Sequence, residues 1–186
     1  MRVIAGEARS LILKTPVGEG TRPTTDRIKE TLFNIIQNDV PGSVFVDLFA
    51  GSGGVGIEAL SRGAKKSYFI ENAKEAIDCI EYNLKHTHFT EKGLVLKQDG
   101  ITALGYSIRE NADIIFCDPP YDKGFDKLII QKASEARCVT ENTLIIIEEL
   151  KDTDFSYVYN YGFQIIKEKV YKSNKHVFIK KISSLN

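Results

Sequence analysis

The chain has 186 residues, 42% of them hydrophobic and 10% aromatic, and its 25 basic and 25 acidic side chains cancel to a formal net charge of zero. That length and apolar content suit one globular domain with a substantial core, and no stretch reaches the roughly 18 to 20 apolar residues that a bilayer span requires. "MRVIAGEARS" has no apolar leader, and Cys79, Cys117 and Cys138 form no Cys-x-x-Cys pair, so the expectation is a cytoplasmic monomer without disulfides, a zinc site or membrane attachment.

Residues 1–40 read as an extension. "RVIAGEARSLILKTP" predicts two short strands around a turn, and "GEGTRPTTD" a loop rich in Gly, Pro and Thr. A helix follows, capped by Thr24, Thr25 or Asp26, with Ile28, Leu32, Ile35 and Ile36 on one face until Pro41 and Gly42 stop it. Residues 41–186 read as the core, where β-rich runs alternate with helical patterns; that order implies parallel strands joined by crossover helices. Strands are predicted at 44–49, 67–70, 94–98, 114–117 and 144–148. "AKEAIDCIEYNLKH" predicts a helix with Ala73, Ala76, Ile77, Ile80 and Leu84 on its buried face. "YGFQIIKEKVY" and "KHVFIKKI", separated by "KSN", predict an antiparallel hairpin. The whole is expected to be one α/β domain, with a mostly parallel seven-stranded sheet closed by that hairpin.

"VFVDLFAGSGGVGIEAL" places Gly51, Gly53 and Gly56 after the first strand and at the start of a helix. Such a loop lets backbone approach a ligand, and a helix start presents free amides. Glu71 ends the next strand, 20 positions after Gly51, where an acid would hold ribose hydroxyls. Asp47 would repel a pyrophosphate but attract the sulfonium and ammonium of S-adenosylmethionine. Asp99 in "LKQDGI" is a candidate acceptor for the adenine amine, with helix capping as its competing role.

"ADIIFCDPPY" ends the fourth strand with Asp118, Pro119, Pro120 and Tyr121. Two prolines cannot continue a ladder, so the chain turns out of the sheet. An exocyclic amine on a nucleobase is a poor nucleophile because its lone pair is delocalised. The Asp118 carboxylate and the Pro119 carbonyl can accept its two N–H groups and point the lone pair at a methyl donor. Tyr121 can stack on a base rotated out of its helix. Cys117 reads as a core thiol whose pKa its acidic neighbour raises. Charge is uneven: residues 1–29 carry six basic and three acidic groups, and residues 161–186 six and one. The two basic ends form one electropositive face if they meet in space.

Through "RVIAGEARSLILKTP", "RPTTDRIKETLFN", "DLFAGSGGVGIEALSRGA", "IEN" and "DPPY", the chain resembles the bacterial 16S ribosomal RNA guanine-N2 methyltransferases. These belong to the class I S-adenosylmethionine-dependent methyltransferases. The resemblance implies a Rossmann-like fold and methylation of the N2 amine of one guanine in small-subunit ribosomal RNA, free or assembled. Asp118, Pro119, Pro120 and Tyr121 would hold the base, and Asp47, Gly51, Gly53, Gly56, Glu71, Asp99 and Thr24 would surround the cofactor. Arg9, Arg22, Arg27, Lys172 and Lys175 are the candidate RNA contacts. The alternatives are an adenine-N6 methyltransferase acting on DNA or RNA, an NAD-linked oxidoreductase resting on the glycine loop alone, and a non-catalytic RNA-binding module.

Overall fold

The apolar runs form five parallel strands, β1 (Val44–Leu48), β2 (Lys66–Glu71), β3 (Gly93–Lys97), β4 (Ile114–Cys117) and β5 (Leu144–Leu150). Each lies within two residues of its expected bounds. The computed structural model describes residues 1–16 and 26–183. In it the hairpin strands β6 (Phe163–Val170) and β7 (Asn174–Lys181) complete a seven-stranded sheet of order β3-β2-β1-β4-β5-β7-β6, with β7 antiparallel to both neighbours.

Successive side chains of a strand point to opposite faces, so one strand serves two cores. Phe45, Ile114 and Phe116 pack with α1 (Asp26–Ile35), α2 (Gly54–Ser61) and α3 (Lys74–His86). Val46, Leu48, Ile115 and Cys117 pack with α4 (Gly100–Tyr106) and α5 (Phe125–Glu135). From β1 the chain winds outward to β2 and β3, then returns to place β4 on the other side of β1. The winding direction reverses between β1 and β4, and in such sheets a ligand crevice opens at the carboxyl ends of the strands at that point.

The extension differs from expectation in two ways. Its strands reduce to a single antiparallel bridge between Arg2 and Ile12. The helix α1 ends at Ile35, well before Pro41, and buries Lys29, Leu32 and Phe33, with Ile36 just beyond it, while Ile28 and Ile35 stay partly exposed. The face is rotated because Lys29 is 0% exposed. Its ammonium donates to the Arg2 carbonyl (2.7 Å) and pairs with Glu58 of α2 at 3.3 Å. Glu58 also accepts from the Ile4 and Ala5 amides (2.8 and 3.0 Å) and from Arg62 (2.8 Å). This charged node fastens the extension to α2 where apolar periodicity predicts isoleucine contacts. The candidate caps Thr24 and Thr25 lie outside the described residues. Among the described residues no helix is long and apolar enough to cross a membrane.

Candidate active site

A cavity of about 780 Å³ opens at the carboxyl ends of β1 and β4, lined by Asp47, Phe49, Gly51, Gly54, Glu71, Asp118, Pro119, Pro120, Tyr121 and Glu148 among others. It is large enough to hold a nucleoside-sized ligand. A smaller one of about 240 Å³ lies at the opposite strand ends, beside Gly42, Ser43 and Asp113, and shares no residue with it.

Asp47 is the fourth residue of β1 and is 2% exposed. Its Oδ2 accepts the Gly56 amide at 2.8 Å, so the strand end and the first turn of α2 are tied together. Burial raises its pKa to about 7; the Gly56 hydrogen bond opposes this and the Glu71 charge adds to it. Glu71 accepts the Gly51 amide on one oxygen (2.9 Å) and the Asn72 and Ala73 amides on the other (2.8 and 2.9 Å). It therefore braces the glycine turn against the start of α3.

The three glycines have separate jobs. Gly51, at φ +53°, faces the cavity. Gly53 and Gly56 do not line it: a Cβ on Gly53 would stand 3.2 Å from the Phe69 ring, and one on Gly56 would overlap that ring. Their missing side chains let α2 lie close on β2, which corrects the expectation that they approach the ligand. Phe49 lines the cavity with φ +68°, a conformation costing a bulky residue on the order of 1–3 kcal/mol. Nothing in the sequence pattern marks it.

Asp99 caps α4, accepting the Thr102 amide at 2.9 Å and its hydroxyl at 3.2 Å, and it is not among the cavity-lining residues. Both bonds use Oδ1, so the exposed residue caps the helix with one oxygen and keeps Oδ2 for another donor. Asp118, by contrast, lines the cavity, and no described residue donates a hydrogen bond to its carboxylate. Burial, then the charges of Glu148, Asp47 and Glu149, push its pKa well above the ordinary carboxylate range. Cys117, buried on the core side of β4, has its thiol pushed up by burial and by Asp47 and Asp118, so it stays unreactive. All three cysteines are free and buried.

Among the basic candidates, Lys172 is exposed and lines the cavity. Arg9 and Arg27 are exposed and are not among the cavity-lining residues. Lys175 is 7% exposed and bonded to Glu168 at 2.8 Å, so it is not free for RNA, which corrects the expectation built on charge counting. Arg22 and Thr24 lie outside the described residues. Residues not named as site candidates in the sequence also line the cavity: Glu148, Tyr171 and Asn174, and, from the extension, Met1, Thr15, Pro16 and Ile28. The one signal for Glu148 is a pair of acidic residues, Glu148 and Glu149, inside the otherwise apolar run "LIIIEEL".

Residues 1–180 match the protein family described as Conserved hypothetical protein 95. Ribosomal RNA small subunit methyltransferase D of Haemophilus influenzae is 36% identical over 171 residues, covering 91% of this chain and 88% of that protein. Among solved structures, yhhF of Escherichia coli superposes with a TM-score of 0.84 at 27% identity over 99% of both chains. SMU.776, solved in complex with SAH, shares the fold with a TM-score of 0.63 at 18% identity, over 80% of this chain and 49% of that one.

Proposed function

The chain belongs to the Conserved hypothetical protein 95 family and to that of ribosomal RNA small subunit methyltransferase D, and on that premise we propose that it methylates the exocyclic N2 amine of a guanine in small-subunit ribosomal RNA. The observation that carries this reading is the union of two features in one cavity: the Asp47, Gly51 and Glu71 turn, and the Asp118-Pro119-Pro120-Tyr121 exit from β4. Four carboxyl groups (Asp47, Glu71, Asp118 and Glu148) line the cavity, with Lys172 the one basic side chain among the described lining residues. A cationic ligand draws Asp47 and Asp118 into their ionised forms, whereas the same carboxylates repel a pyrophosphate. S-adenosylmethionine, when bound, supplies an activated methyl group on a sulfonium.

The residues of this chain do the rest. Asp47 and Glu71 hold the turn that receives the nucleoside, and their charge attracts the cation. The Asp118 carboxylate accepts one N–H of the target amine and the Pro119 carbonyl the other, which orients the lone pair toward the methyl group. Proline carries no amide hydrogen, so the turn adds no competing donor there. As the amine becomes cationic in forming its new bond, Asp118 takes the proton that must leave. A carboxylate whose proton affinity burial has raised is suited to that step. Tyr121 offers its ring as a platform for the base.

The decisive measurement is transfer of labelled methyl from S-adenosylmethionine to small ribosomal subunits lacking the modification, followed by mass mapping of nucleosides. N2-methylguanosine is the expected product, and Asp118→Ala should lose on the order of a hundredfold or more in turnover while still binding S-adenosylhomocysteine. Label on N6-methyladenosine, or none on RNA, would refute the assignment.

A further inference from the structure

Behind the DPPY turn lies a chain of hydrogen bonds that joins three strands' ends. Glu148 of β5 is 4% exposed. One of its oxygens accepts the Tyr121 hydroxyl (2.9 Å) and the Asn174 amide (2.5 Å), and the other faces His176 Nε2 at 2.9 Å. Tyr171 Oη lies 3.0 Å from His176 Nδ1. Burial alone would raise the Glu148 pKa, but its bond and charge interaction with His176 and its bonds from Tyr121 and Asn174 hold it below the ordinary range. An ionised carboxylate only accepts, so Nε2 carries the hydrogen and, in the neutral ring, Nδ1 accepts from Tyr171. The imidazole is itself enclosed by rings, edge-on to Phe116 (5.8 Å) and to Tyr171 (5.1 Å).

A buried carboxylate is costly unless every lone pair finds a donor, and a fold-stabilising acid would spend its bonds on buried groups. Glu148 spends one on the tip of a half-buried tyrosine in the cavity wall. Tyr121, Glu148, Tyr171 and Asn174 all line that cavity, with Asp118 beside them. We infer that Glu148, oriented by His176 and Asn174, is a positioning residue that fixes the Tyr121 ring as the platform on which the target base is presented to Asp118. This rests on the proposed methyl-transfer reaction at the same site.

Glu148→Gln keeps the shape but replaces one acceptor oxygen by a donor, so it cannot satisfy all three donors. Tyr121→Phe cuts the same bond from the other side with little risk to folding. With S-adenosylmethionine and unmodified small subunits, each is expected to lower kcat by between about ten- and a hundredfold, with KM for S-adenosylmethionine held within about twofold. The double variant should be no slower than the slower single one, because both act through one contact. Independently of any substrate, the Tyr121 ring signals in a ¹³C-tyrosine NMR spectrum, identified by their loss in Tyr121→Phe, should move in Glu148→Gln. Defects that multiply in the double variant, or unmoved Tyr121 signals, would overturn the inference. If the wild-type chain methylates no RNA, the functional assignment fails while the NMR comparison still decides the role of Glu148. Should Glu148→Gln not fold, Tyr171→Phe loosens His176 from behind, and unmoved Tyr121 signals in that variant would overturn the inference equally.

Discussion

At Asp47 burial and a single amide hydrogen bond pull in opposite directions, and burial wins, leaving a carboxyl group that titrates at about 7. A folded pKa above the ordinary carboxylate value of 3.8 means that this group's contribution to stability is complete below that value and is lost as pH rises through about 7. The ligand-free chain therefore carries a strained anion at neutral pH. A cation beside it relieves that strain and favours the ionised form, and the same holds for Asp118, whose pKa is also raised. S-adenosylmethionine binding should accordingly release protons and tighten between about pH 6 and about pH 8. Calorimetry in buffers of different ionisation heat measures both, and Asp47→Asn should remove part of the dependence. Affinity independent of pH would show that neither acid faces the cation. The candidates Asp47, Gly51, Glu71 and Asp118 were legible one at a time because strand ends and glycine turns have recognisable chemistry. The role of Glu148 was not, since it depends on partners 26 to 28 positions away.

Helices and strands followed local pattern wherever apolar residues alone decided the packing. Strand β4 has its expected bounds, and α3 begins one residue after Ala73, its N-cap. The reading failed at α1, where a fully buried Lys29 takes a place that periodicity assigns to an apolar side chain. Hydropathy cannot foresee this, because the lysine is paid for by Glu58, 29 positions on, and by the Arg2 carbonyl. Burial lowers the Lys29 pKa, with Glu58 opposing that shift. Glu58→Ala would leave that ammonium buried without its partner and free two amides of the extension. A loss of about 3–5 kcal/mol in denaturant unfolding is expected. Because Met1, Thr15 and Pro16 line the cavity, weaker cofactor binding should accompany it. A change below about 1 kcal/mol would show that the node contributes little.

Across the whole molecule, the two basic ends of the chain do meet. Met1, Thr15, Pro16 and Ile28 line the same cavity as Tyr171, Lys172, Ser173 and Asn174. Charge counting overstated what they offer, because Lys29 and Lys175 are buried in ion pairs. For the proposed RNA substrate, affinity should fall with salt, and Lys172→Ala should reduce the slope of log affinity against log salt by about 1. Lys175→Ala should lower thermal stability and leave that slope unchanged. Equal slopes for wild type and Lys172→Ala would remove the Lys172 turn from the RNA path.

The sequence by itself determined the five core strands, their parallel direction, the antiparallel hairpin, the glycine turn and the DPPY exit. Each of these follows from residues within a few positions of one another. Only the tertiary structure decided that Gly53 and Gly56 serve the packing of α2 on Phe69, that Asp99 caps a helix, that Lys29 and Lys175 are interior charges, and that Glu148 accepts the Tyr121 hydroxyl. Those roles are set by desolvation and by partners brought close through long-range pairing. Burial changes the energy of a charge far more than it changes that of an apolar group, so the polar half of a sequence acquires its meaning last.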